Sequence, residues 1–156
     1  GALATLTRNA AYGLLADRIR DNGEAEEDRN DTRLKELFNR LNRLMTEEEL
    51  YRSNDLTIET AARRLDTNRS YLSRAVNRFS GTSFAGYVNT FRIAKAVELL
   101  SDPQNGTPIK ALADYLGYNN LPTFYQNFQK ETGVPPSRYR QEAQRIRDVR
   151  LPGGNV

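Results

Sequence analysis

The side chains whose types could do chemistry sit on the polar faces of two short amphipathic helices, and their guanidinium, hydroxyl and carboxamide groups suit hydrogen-bonded recognition more than bond-making. Leu72, Ala75, Val76 and Phe79 recur at helical spacing, which leaves Arg69, Ser70, Ser73, Arg74 and Asn77 on the opposite face. A guanidinium at Arg74 can donate to O6 and N7 of guanine together. Farther on, Phe124 and Phe128 point inward, and Leu121, Pro122, Tyr125 and Gln126 form the outward face, with Gln129 one turn beyond. A carboxamide such as Gln126 can pair with N6 and N7 of adenine, and Leu121 and Tyr125 suit thymine methyls. For each residue the competing reading is a plain solvated surface.

Phosphate contacts would surround these faces. Helices opening near Thr57, Ser83, Thr107 and Asn119-Asn120 offer free backbone N–H groups to phosphate oxygens. Arg63, Arg64, Lys110, Arg138 and Arg140 add cations, and Asn77 or Arg69 can reach the backbone as well. Arg92 is expected in an internal salt bridge, and Arg145, Arg147 and Arg150 on a solvated tail.

Bond-making chemistry has little to work with. The 156 residues contain no Cys and no His, which removes thiolate nucleophiles, Cys zinc sites and the commonest general base. There is no glycine-rich phosphate loop. The acids between Glu24 and Asp31 look like a solubilising run, so neither catalytic residues, metal ligands nor a cofactor are expected, and the chain is not expected to be an enzyme. No apolar run approaches the ~18–20 residues that span a bilayer, so no membrane contact is expected. Absence of Cys fits the reducing cytoplasm.

Charge is distributed unevenly. The chain carries 23 Lys/Arg against 20 Asp/Glu, a net charge of +3. Residues 1–56 are net −3, whereas residues 57–150 are net +6. A basic second segment is the footprint of a polyanion binder.

An internal repeat organises that segment. Ile58, Ala62 and Leu65 return 51 residues later as Ile109, Ala113 and Leu116. Leu72, Val76, Gly81 and Tyr87 return 52 residues later as Phe124, Phe128, Gly133 and Tyr139. Each copy comprises a helix, a tight turn, a second capped helix and a glycine, the pattern of a helix-turn-helix unit. In the second copy Thr107 is expected to cap and Pro108 to occupy the first helical position. Gly117 supplies the left-handed turn residue, and Asp66 takes its place in the first copy. Between the copies Ser83 caps a long helix whose face carries Phe84, Tyr87, Val88, Phe91, Ala94 and Leu100. At ~1.5 Å per residue it is a strut of roughly 25 Å, able to hold two recognition helices on one side of a duplex whose repeat is ~34 Å.

The stretch from Leu56 to Arg140 resembles the DNA-binding domain of the AraC/XylS family of transcription regulators. The resemblance rests on Tyr71-Leu72-Ser73-Arg74, Gly81-Thr82-Ser83-Phe84, Arg92-Ile93-Ala94-Lys95-Ala96 with Leu99-Leu100, Ile109-Lys110-Ala111-Leu112-Ala113, Leu116-Gly117-Tyr118 and the block from Phe124 to Arg140. It covers roughly 85 residues. It implies an all-α domain of seven helices, two recognition helices in major grooves, double-stranded DNA and RNA polymerase as partners, and service as the output domain of a larger sensor regulator. Asp66 and Leu121-Pro122 depart from the family's usual pattern. The alternative is a helical interaction module that meets polymerase or another regulator.

The expected architecture is therefore all-α, two helix-turn-helix subdomains joined by a long linker helix, with an additional N-terminal helical segment. Residues 1–55 form that segment, with an acidic loop over 22–31 and a short helix Glu47–Arg52 opened by a Thr46/Glu49 capping box. Residues 56–145 form the DNA-binding domain: first unit 56–81, linker helix 83–101, second unit 107–133, C-terminal helix 136–147. Residues 148–156 are expected as a flexible tail. The stripe Leu34, Leu37, Phe38, Leu41, Leu44 and Met45 has two readings, packing onto the domain or pairing a homodimer through the Leu34–Met45 helix.

Overall fold

The computed structural model describes the backbone of residues 1–150 and every side chain there except those of Leu6 and Arg150. Its elements are α1 (Ala2–Glu47), a 3-10 turn η1 (Leu50–Arg52), α2 (Ile58–Arg64), α3 (Arg69–Ser80), α4 (Phe84–Ser101), α5 (Ile109–Tyr115), α6 (Leu121–Thr132) and α7 (Pro136–Arg150). No strand occurs among the described residues.

The first helix corrects the sequence reading. The expected acidic loop over 22–31 is helical throughout, inside a single helix of 46 residues. Gly23 costs only ~1 kcal/mol against alanine at a helical position, and the Glu, Ala and Arg around it are strong helix formers. Charge density marked solvent exposure there, not a chain break. The Thr46 cap fails too: its hydroxyl donates back to the Asn42 carbonyl at 2.9 Å, within α1. Glu49 turns left-handed at φ 52° and only the single turn η1 follows. Every described side chain from 1 to 29 is exposed, so the helix projects from the domain over more than half its length.

The second half of α1 belongs to the core. Leu34, Leu37, Leu41 and Met45 are buried against α3, among Leu72, Ala75, Val76 and Tyr87. Burying each such side chain is worth roughly 1.5–3 kcal/mol. Of the two readings of the stripe, the structure shows packing onto the domain, which leaves Leu34, Leu37, Leu41 and Met45 no exposed apolar surface to offer a second copy.

A second, separate core gathers Ile93, Ala96, Leu100, Leu112, Ala113, Leu116, Tyr118, Phe124 and Phe128. The linker helix α4 serves both cores, its first half packing Tyr87 and Val88 into one and its second half Ile93 and Leu100 into the other. Two burial directions on one helix explain why Ala94, expected inward, is exposed while Ala96 is fully buried.

The repeat is reproduced bond by bond. Asp66 and Gly117 both adopt positive φ, 53° and 93°, at the two sharp turns. The Thr67 amide donates to the Ala62 carbonyl, and the Tyr118 amide to the Ala113 carbonyl. Ala62 and Ala113 are both buried, small enough for the next helix to approach. Asn68 and Asn120 cap the second helices through their side chains, and Gly81 and Gly133 end them left-handed. One expected cap is absent: α5 opens at Pro108 without a side-chain cap, and Thr107 makes none. At the other end α7 runs to Arg150, so residues 148–150 of the expected tail are helical, and residues 151–156 lie outside the described residues.

Candidate nucleic-acid interface

The two second helices of the repeat border one cleft of about 690 Å³. Arg69 and Ser73 of α3 line one side, Thr123 and Asn127 of α6 the other, and Ser83 with Phe84 close it at the start of α4. Each bordering helix is fixed at its start by an asparagine carboxamide, Asn68 accepting from the Tyr71 amide at 2.8 Å and Asn120 from the Thr123 amide at 2.9 Å. Each is held from behind by fully buried residues, Leu72 and Val76 in α3, Phe124 and Phe128 in α6. Thr57 and Thr60 close a reciprocal capping box that starts α2. Rigid backs leave polar fronts.

On α3, Arg74, Ser70 and Asn77 are exposed and Ser73 is half-buried. Among the described residues no carboxylate lies within ion-pair distance of Arg74. Arg69 is held by Glu59 at 2.8 Å, an open pair that solvent weakens. Beside Arg74 runs an unexpected neighbour. Glu27, Asp28 and Asp31 of α1 line a groove shared with Arg74, Asn77 and Arg78. The acidic run is not a remote solubilising segment; it flanks α3.

On α6, Pro122 and Gln126 are exposed, and Tyr125 is half-buried with its ring 6.2 Å from that of Phe124. Leu121 is also half-buried, packed against the second core, so part of its surface is committed to folding.

The expected phosphate partners divide. Arg63, Lys110 and Arg138 are exposed and free for an anion. Arg64 instead meets Glu48 at 2.6 Å, beside the end of α1. Arg140 is half-buried and donates to the Thr107 carbonyl at 2.6 Å, tying α7 to the start of the second unit. Asn119 donates to the Asn54 carbonyl at 3.1 Å, and Asn120 is occupied as the cap of α6. Among the described residues Arg92 pairs with no carboxylate. Its guanidinium donates to the carbonyls of Tyr51 at 2.7 Å and Ser53 at 3.1 Å, in surroundings whose burial lowers its pKa. Arg145 pairs with Glu142 along α7.

Sequence reasoning missed the cleft's inner residues. Asn89 accepts from the Tyr118 hydroxyl, a phenol that burial pushes up to about 12. Asn127 stands one turn beyond Thr123 on α6, a spacing of four that marks a shared helix face and could have found it.

Comparison with known proteins agrees with this geometry. A family model described as a helix-turn-helix domain matches residues 61–142. The chain is 35% identical over 89 residues to an uncharacterized HTH-type transcriptional regulator, YtdP, of Bacillus subtilis, covering 57% of this chain and 11% of that protein. It thus spans about a tenth of that relative's length. The C-terminal domain of AraT, a response regulator from Geobacillus stearothermophilus, superposes with TM-score 0.63 at 32% identity, covering 70% of this chain and 88% of that one. A probable AraC family transcriptional regulator from Rhodopseudomonas palustris gives TM-score 0.57 at 26% identity, with coverage of 67% and 97%. With two capped helix-turn-helix units on one linker helix and a family match over more than half its length, the chain belongs to the helix-turn-helix domain family, in its AraC-type form.

Proposed function

We propose that the chain reads double-stranded DNA at two sites, with α3 and α6 entering successive major-groove segments, and thereby regulates transcription. The observation carrying this reading is that α3 and α6 flank one cleft, through Arg69 and Ser73 on one side and Thr123 and Asn127 on the other, while their backs are locked in separate cores and Arg74, Ser70, Pro122 and Gln126 stay exposed on the same two helices. Arg74, Ser70 and Ser73 read bases on the first helix, with Arg69 joining once it leaves Glu59. Gln126, Pro122, Tyr125 and the exposed part of Leu121 read them on the second. Arg63, Lys110, Arg138 and Asn77 hold phosphates. Regulation follows from contact with RNA polymerase in the cytoplasm.

The test is selection of bound duplexes from a random-sequence pool at two salt concentrations. Two enriched elements about one helical turn apart, with affinity falling steeply in salt, are expected. One element only would reduce α6 to a positioning role. No enrichment would overturn the reading and favour a protein-interaction module.

A further inference from the structure

The two cores do not merge, so the angle between the recognition helices depends on what ties the second unit to the first. One tie is α4. Another is the segment from Glu49 to Asn54, which lies before the first helix-turn-helix unit in sequence yet contacts the second one.

Four hydrogen bonds and two guanidinium–ring contacts hold it there. Arg52 donates from Nε to the Tyr115 carbonyl at 3.2 Å, and its guanidinium lies 3.7 Å from the Tyr115 ring centroid. Asn119 donates to the Asn54 carbonyl. Arg92, from the middle of α4, clamps the Tyr51 and Ser53 carbonyls while its guanidinium lies 5.2 Å from the Tyr118 ring centroid. Gly117 faces the strap so closely that a Cβ there would stand 2.8 Å from the Tyr51 carbonyl oxygen. The turn of the second unit is thus docked on backbone, which cannot swing aside as a side chain can.

We propose that residues 49–54 are a strap that sets the orientation of α6 relative to α3, with Arg52 and Arg92 as positioning residues for two-element DNA reading. The DNA consequence rests on the reading above; the geometric claim does not. A strap loosened at Arg52 leaves each recognition helix intact but no longer holds both in register on one duplex. The second contact then loses its intramolecular advantage.

The test uses Arg52→Ala and Arg52→Lys, the latter keeping charge but not the planar fork. Because the chain has no cysteine, Thr82→Cys and Lys130→Cys place one spin label on each unit, and their distance distribution reports the angle without DNA. A narrow distribution that broadens in both Arg52 variants is expected, with helicity unchanged by circular dichroism. Selected two-element duplexes should bind Arg52→Ala roughly tenfold more weakly, with tolerance of one added base pair between elements, and duplexes with the second element scrambled should bind it unchanged. An unbroadened distribution overturns the strap whatever the DNA result. Equal loss on both duplexes also overturns the positioning role. Broadening in a chain that binds no duplex upholds the strap and defeats the DNA reading alone.

Discussion

Asp31 of the N-terminal helix closes on Arg78 of the first recognition helix at 3.1 Å, and Glu27 and Asp28 continue the acidic edge beside Arg74 and Asn77. If α3 reads a duplex as proposed, a carboxylate row beside it repels phosphate. Glu27→Gln combined with Asp28→Asn should raise duplex affinity roughly two- to fivefold at low salt, the gain shrinking as added salt screens the carboxylates. Anisotropy titrations across salt concentrations check this; an affinity that falls would mean that these acids support α3.

Base reading and phosphate holding separate in mutants. Arg74→Ala should lose ~1–3 kcal/mol of specific binding and relax preference at one base position. Lys110→Ala should weaken every duplex alike and reduce the salt slope by about one. Repeating the pool selection with each variant distinguishes the two outcomes.

The halves of α1 should respond in opposite ways. Leu41 is fully buried, so Leu41→Ala should cost ~2–5 kcal/mol in thermal or denaturant unfolding. Leu15 is 57% exposed on the projecting half, and Leu15→Ala should stay within ~0.5 kcal/mol of the parent.

Gly117 and Gly133 share a left-handed backbone but not their surroundings. A Cβ at Gly133 would meet nothing within 4 Å, so Gly133→Ala carries only the conformational cost of ~1 kcal/mol. Gly117→Ala adds a clash with the strap backbone and should be markedly worse. Asp66→Gly, which relieves a non-glycine residue at φ 53°, should raise the melting temperature if the relief exceeds the added chain entropy. Calorimetry on the three variants gives the order.

Alkaline stability follows from buried phenols. Burial pushes both Tyr87 and Tyr118 up to about 12 from an ordinary 10.0. The folded state then holds protons that the unfolded chain releases, so stability is fully present below pH 10 and falls as pH rises toward 12. Melting temperatures measured across that interval should drop, and Tyr87→Phe should lessen the drop.

What the sequence made legible was periodic or local. The 51- and 52-residue offsets placed both turns, the glycine ends and the inward faces, because caps and left-handed positions are written in single residues such as Asn68, Gly81 and Gly117. Contacts between distant segments were not legible. Arg92 looked like an ion-pair partner because nothing local shows that its acceptors are carbonyls 39 and 41 residues away. Arg140 looked free for the same reason. The acidic stretch was misjudged because composition reports solvation, whereas helix continuity depends on the summed preference of every residue across it.

The unbroken course of α1 has a consequence of phase. Between Ala2 and Glu47 no proline or capping turn interrupts it, so azimuth is conserved from one end to the other. A single residue inserted beside Gly23 would rotate Leu3, Tyr12 and Leu15 by about 100° around the axis and advance them about 1.5 Å, while Leu34 to Met45 kept their seats on α3. Four inserted residues would nearly restore the bearing. The projecting half therefore behaves as a dial whose setting is counted in residues, and helical insertions of one to four give its calibration.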